Sequence, residues 1–179
     1  MLERNYVRSL GLAGQQAEAF KRMQALRERA RTLDGEDSAE YALTTWQLVV
    51  IARHLHDPAR GLPLLAEARK RWSALVPDTH PVFTHALRAE AAFARDRGDL
   101  AHAETLQREA IGKFEAAGAL PVDLAIAHEA LAGILFDRDD KNGARQLLEH
   151  ALPVLREALL PQENSRADAE SLAHKLGMR

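Results

Sequence analysis

The chain has 179 residues, 46% of them hydrophobic, and sets 24 Lys and Arg against 26 Asp and Glu for a formal charge of −2. A chain of this length buries roughly 70% of its unfolded surface without staples, and its balanced charge does not favour nucleic acid or an anionic membrane as a bulk partner. The lack of cysteine excludes disulfides, thiolate catalysis and cysteine-ligated zinc.

From Met1 to Phe20 there is no apolar stretch of signal-peptide length, and the greasiest run, Leu48 to Ala52, is far too short to cross a bilayer. A cytoplasmic protein is expected. Met1 to Leu33 reads as a short helix followed by a longer one that stops by Asp34-Gly35, with Phe20, Met23, Leu26 and Ala30 on its apolar stripe. Beyond this point one spacing recurs. Gly61, Leu64, Ala68 and Trp72 are matched by Ala103, Leu106, Ala110 and Phe114, and again by Ala144, Leu147, Ala151 and Leu155, each set 41 or 42 positions after the last. Steps of three, four and four put each set on one helical stripe. A unit of that length buries its stripe only against a neighbouring copy.

Each unit reads as two antiparallel helices. First helices are predicted near Asp37 to Leu55, His80 to Arg97 and Pro121 to Arg138, and second helices near Pro58 to Leu75, Asp99 to Ala117 and Lys141 to Leu159. Asp57-Pro58 is a start signal, because proline at the first helical position forgoes no hydrogen bond. Asp99 and an aspartate of Asp137-Arg138-Asp139-Asp140 are the corresponding caps, while Gly98 and Gly118 end helices. Pro63 and Pro153 fall inside second helices, which predicts local kinks or, for the first, a helix beginning later, near Arg60. Ser165 to Leu176, with Ala169, Leu172 and Leu176 on one face, suits a closing helix. No segment alternates as a strand does. The expected fold is all-α, a right-handed α-solenoid, with residues 1–36 as a degenerate repeat or cap, repeats at 37–77, 78–119 and 120–160, and a terminal helix in 161–179.

A paired-helix unit with small residue, leucine and alanine on its second helix resembles the tetratricopeptide repeat. Its length and the junction Pro77-Asp78-Thr79-His80-Pro81-Val82 resemble the 42-residue variety of kinesin light chains and bacterial regulatory proteins. The stretch from Leu160 to Glu170 is similar to the last junction of arrays that trail bacterial serine/threonine kinase domains. Glu90 and His128 depart from the pattern, standing where the family places apolar residues, and could contact each other.

This resemblance implies a non-catalytic interaction module whose concave surface is lined by first helices. By aligned position that surface takes Arg53 and Arg95, 42 residues apart on neighbouring helices and roughly 10 Å from each other. It also takes Arg88, two turns before Arg95, together with Trp46, His85 and Glu129. Guanidinium forks pair bidentately with carboxylates, so the expected partner is a protein or peptide carrying them. The competing reading of Arg88 and Arg95 is a solvated pairing with Glu90, Asp96 or Asp137, worth at most about 1 kcal/mol each. The lysine and asparagine that clamp a terminal carboxylate in chaperone adaptors are not reproduced. His54-Leu55-His56-Asp57 is the densest group of candidate metal ligands, but its spacing does not converge on one helix face, and no metal or cofactor is expected. A sensor domain closing on a small molecule or signalling peptide is the alternative function, and self-association through end helices a further option.

Overall fold

The computed structural model describes residues 2–178, without the side chains of Leu2, Arg4, Arg8 and Leu12. Its regular elements, among the described residues, are α-helices: α1 (Leu2–Leu12), α2 (Gln16–Asp34), α3 (Ala39–His54), α4 (Pro58–Leu75), α5 (Pro81–Asp96), α6 (Leu100–Ala116), α7 (Pro121–Asp137), α8 (Lys141–Ala158) and α9 (Asn164–Lys175). None is long and apolar enough to cross a membrane.

Left-handed residues set the hairpin turns. Gly14, His56, Gly98 and Asp139 all have positive φ (75°, 51°, 79° and 65°) and follow one another at steps of 42, 42 and 41. Where glycine is absent, the side chain must tolerate a conformation that costs L-residues roughly 1–2 kcal/mol. Aspartate does so readily, and His56 sets its ring against Asp96 at 2.8 Å. In three of these turns the following amide reaches back to the preceding helix, with Gln15 N donating to Leu10 O, Asp57 N to Ala52 O and Asp140 N to Leu135 O. Next come the caps: the carboxylates of Asp57, Asp99 and Asp140 accept from the amides of Arg60, His102 and Gly143. The α1–α2 turn shares this register, which the apolar stripe of α2 did not reveal.

One start, that of α3, differs from expectation in detail, and that of α4 is as expected. The cap of α3 is Ser38, whose hydroxyl accepts from Tyr41 N, and not Asp37. Helix α4 begins at Pro58 and runs on through Pro63, as α8 runs through Pro153. Each proline deprives the carbonyl four residues earlier of a donor, and those carbonyls belong to Ala59 and Glu149, both exposed residues, at which solvent is the available replacement donor.

The chain divides into two compact units, Met1–Arg97 and Gly98–Arg179. In the first, α2 packs on α1 and α3, and α3, α4 and α5 pack mutually. Its core holds Phe20, Met23, Leu48, Val49, Leu65, Ala68 and Phe93. In the second, α6 packs on α7, and α7, α8 and α9 pack mutually around Leu131, Leu135, Leu148, Leu152, Leu155 and Leu172.

The deepest seam lies one residue later than expected. Leu65 and Leu148 are 2% and 0% exposed, whereas Leu64 and Leu147 are only half-buried. At the corresponding place α6 carries Gln107, 1% exposed, whose Nε2 donates to Ala127 O at 2.7 Å and so joins α6 to α7. A helix packed between two neighbours needs a stripe wider than one residue per turn. Gly61 has a different reason. A Cβ there would stand 2.7 Å from Phe93 Cε2 and closer still to Cε1 and Cζ, so the ring lies directly on the α4 backbone. The equivalent places in the second unit hold Ala103 and Ile134, both buried, where a slimmer side chain on one helix accompanies a methyl on the other.

Candidate functional site

Helices α3 and α5 lie side by side in the first unit. Trp46 and Arg53 are seven apart on α3, and His85, Arg88 and Arg95 follow steps of three and seven on α5, so each set shares a helix face. Capping fixes the start of both helices. Ser38 caps α3, and for α5 the His80 Nδ1 accepts from Val82 N at 3.2 Å, with Pro81 at the first helical position. The His80 ring stacks on Trp72 of α4, with centroids 6.3 Å apart and planes 7° apart.

Arg53, His85 and Arg95 are half-buried, and each interacts within the protein. Trp46 is also half-buried, packing on the core and lining a narrow crevice with Arg69, Trp72, Val82, Phe83 and Ala86. Arg88 is 8% exposed and Glu129 9%, so both sit beneath the surface, engaged with the protein itself. Glu129 belongs to α7 and the second unit.

No protein-family model matches the chain, and no curated protein does. Solved structures do. Podosopora anserina kinesin light chain nearly identical TPR-like repeats match with a TM-score of 0.66 at 14% identity, over 97% of this chain and 83% of that one. A point-substituted form of the same repeats matches with a TM-score of 0.65 at 14% identity, over 98% and 91%. The fold is that of TPR-like kinesin-light-chain repeats. BtubC (BKLC) from P. vanneervenii matches with a TM-score of 0.65 at 16% identity, over 87% of this chain and 62% of that one. Likeness at these identities is likeness of fold.

Within this TPR-like chain, two expected partners of Arg88 and Arg95 hold other groups. Glu90 meets Arg69 of α4 at 2.7 Å, and Asp96 meets the His56 ring. Glu90 therefore enters its helix seam with a cation, which lets a carboxylate occupy a place the repeats fill with apolar residues. His128, in the second unit, is half-buried, and its pKa is lowered by burial, with Glu115 opposing and His150 adding to the shift. In the group His54 to Asp57, burial and then the Arg53 charge push the His54 pKa down to about 4, while the His56 ring is exposed against Asp96. Among the described residues no three His, Asp or Glu side chains gather as metal ligands.

One polar cluster escaped the sequence reading. The Arg27 guanidinium donates to Tyr41 Oη at 2.6 Å, to Glu67 Oε2 at 2.5 Å and to Thr45 Oγ1 at 3.1 Å, while the Tyr41 hydroxyl donates to Glu67 Oε1 at 2.7 Å. Arg71 also lies over the Tyr41 ring and reaches Glu36 and Asp37. Burial, and then the bond to Glu67, raise the Tyr41 pKa. These groups tie α2, α3 and α4 together across sequence separations of up to 40 residues. No local pattern announces such a cluster.

Proposed function

We propose that the protein is a non-catalytic cytoplasmic interaction module that holds a carboxylate-bearing segment of a partner along the shared face of α3 and α5. The observation that carries this reading is the placing of Arg53 and Arg95 at equivalent positions of two packed helices, with His85 and Trp46 on the same faces. Half-buried guanidinium groups lose less freedom on binding than fully exposed ones, which reduces the ordering cost of holding a ligand. Trp46 adds a rigid apolar surface of the kind enriched at interface anchors. Arg88, lying deeper, acts on this surface by positioning its neighbours and by its charge.

Arg53→Glu combined with Arg95→Glu reverses the charge of the face. Titrated against a fluorescent acidic peptide by anisotropy, the double variant should lose at least about tenfold in affinity while keeping the wild-type melting temperature within a few degrees. Unchanged affinity refutes the reading.

A further inference from the structure

A cleft of about 590 Å³ opens in the first unit between the start of α1, the end of α2 and the start of α3. Sites for small ligands span roughly 300–1,000 Å³. The apolar wall of the cleft is one stripe of α2. Leu26, Ala30 and Leu33 follow steps of four and three, so they share a helix face. Ala30 is buried, Leu26 half-buried and Leu33 68% exposed, so the stripe runs from the core out to the edge of the cleft.

The polar wall is anionic. Glu3, Asp34 and Glu40 bring three carboxylates to it, and among the described side chains of the lining the one cation is Arg29, which meets Glu3 at 3.5 Å. The other arginines of α2 are engaged with other carboxylates, Arg22 with Glu18, Arg27 with Glu67 and Arg31 with Glu28. Arg71 of α4 reaches the α2–α3 junction, where it holds Glu36 and Asp37.

The end of α2 adds carbonyl oxygens. In each helix from α3 to α9 the residue that follows the helix donates its amide back to a carbonyl of the last turn. Gly35 instead leaves α2 with φ 84° and ψ 164°, and among the described residues no backbone amide after Asp34 returns to that turn. Terminal carbonyls left in this way take their donors from water or from a ligand, and the negative end of the helix dipole lies with them.

We propose that this cleft binds a small organic cation, an ammonium or guanidinium group carried on an apolar chain. The chain covers Leu26, Ala30 and Leu33, and the cationic head donates to Asp34 and to the carbonyls at the end of α2, where charge-assisted bonds are the strong ones. Walls from three elements of one unit, around a volume of this size, suit a small molecule better than a folded partner. The face on α3 and α5 takes ligands of the opposite charge, so the two sites are chemically independent.

The test adds hexylguanidinium to the full chain and follows backbone amide shifts by NMR, with hexanol and hexanoate as controls for the apolar chain and the charge. Shifts should centre on Leu26 to Asp34 and on Ser38 to Glu40, and affinity should fall as salt is raised. Asp34→Asn should weaken binding about fivefold or more, through loss of the carboxylate. Leu33→Ser should weaken it about fivefold, through loss of apolar contact. Both side chains are exposed, so neither variant should melt differently from wild type. Arg53→Glu with Arg95→Glu should leave binding unchanged, and a loss there would place the probe on the other face and refute the assignment. The proposal is overturned if hexylguanidinium does not bind, if the shifts centre elsewhere, if hexanol or hexanoate binds as tightly, or if both cleft variants bind like wild type. A short arginine-containing peptide that shifts the same amides and binds more than about tenfold tighter than hexylguanidinium would make a partner's side chain the occupant, and would overturn it too.

Discussion

Replacing Gly61 by alanine sets two opposite effects against each other inside α4. In an open helix the change would be stabilising, since alanine is better than glycine by about 0.8–1 kcal/mol in a helix interior. Gly61 is not in the open. The added methyl would sit 2.7 Å from Phe93 Cε2 and nearer to two other ring atoms, and the Phe93 side chain is 0% exposed, enclosed in the core. Overpacking of this kind typically costs about 1–3 kcal/mol. Because the far edge of the ring meets the methyl and the ring is enclosed, it cannot swing aside without displacing buried neighbours, so the clash should win, leaving a net loss of about 1–2 kcal/mol. For a chain of this size that is a fall in melting temperature of about 2–8 °C. Phe93→Ile in the Gly61→Ala background rebuilds the arrangement found at Ala103 and Ile134, so the double variant should be more stable than the sum of the two single losses predicts, by about 1 kcal/mol or more. Calorimetry and urea unfolding of the four proteins close the cycle. A Gly61→Ala variant more stable than wild type would show that the ring does not press on the α4 backbone and would refute the reasoning.

Two further outcomes follow from buried polar groups. Gln107→Leu should change stability by less than about 1 kcal/mol, because the Ala127 carbonyl keeps its helical bond, whereas Gln107→Glu should be strongly destabilising above the normal carboxylate range and recover as pH falls, which urea midpoints at pH 4 and pH 7 would distinguish. His54 has a folded pKa of about 4 against an ordinary 6.5, so its folded environment favours the neutral ring. The unfolded chain takes up the proton first, stability from this group is complete above about pH 6.5, and it declines as pH falls toward 4, by an amount on the order of 3 kcal/mol. His54→Gln should flatten that part of the pH–stability curve, and an unaltered curve would contradict the assignment.

Helix positions are largely legible in the sequence. The boundaries that follow from Asp57-Pro58, Gly98-Asp99 and the aspartates near 140 lie within one or two residues of those found, because capping and positive-φ requirements act over three or four residues and leave a local trace. The rotation of the seam from Leu64 and Leu147 to Leu65 and Leu148 is not legible. Adjacent leucines satisfy the same periodicity, and only the direction of the neighbouring helix chooses between them. His56 and Asp139 stand in recognisable turns, but their equivalence to Gly14 and Gly98 emerges only from backbone angles.

Candidate binding residues divide in the same way. Alignment of the repeats places Trp46, Arg53, His85, Arg88 and Arg95 on two helices that do pack together, since a fixed repeat length carries equivalent residues to equivalent faces. Alignment does not tell that Arg88 and Glu129 are buried, or that Glu90 is held by Arg69 and Asp96 by His56. Burial depends on the surrounding side chains of several elements at once.

What the amino-acid sequence determined by itself was the number, length and order of the helical hairpins, because helix periodicity, caps and turn residues are short-range properties of consecutive residues. Tertiary structure alone decided which polar groups became internal ties, such as Arg27 with Tyr41 and Glu67, or Gln107 with the Ala127 carbonyl, and which leucines stayed at an edge. Those choices are made by desolvation and packing among residues distant in sequence, and such effects leave no periodic mark on the chain.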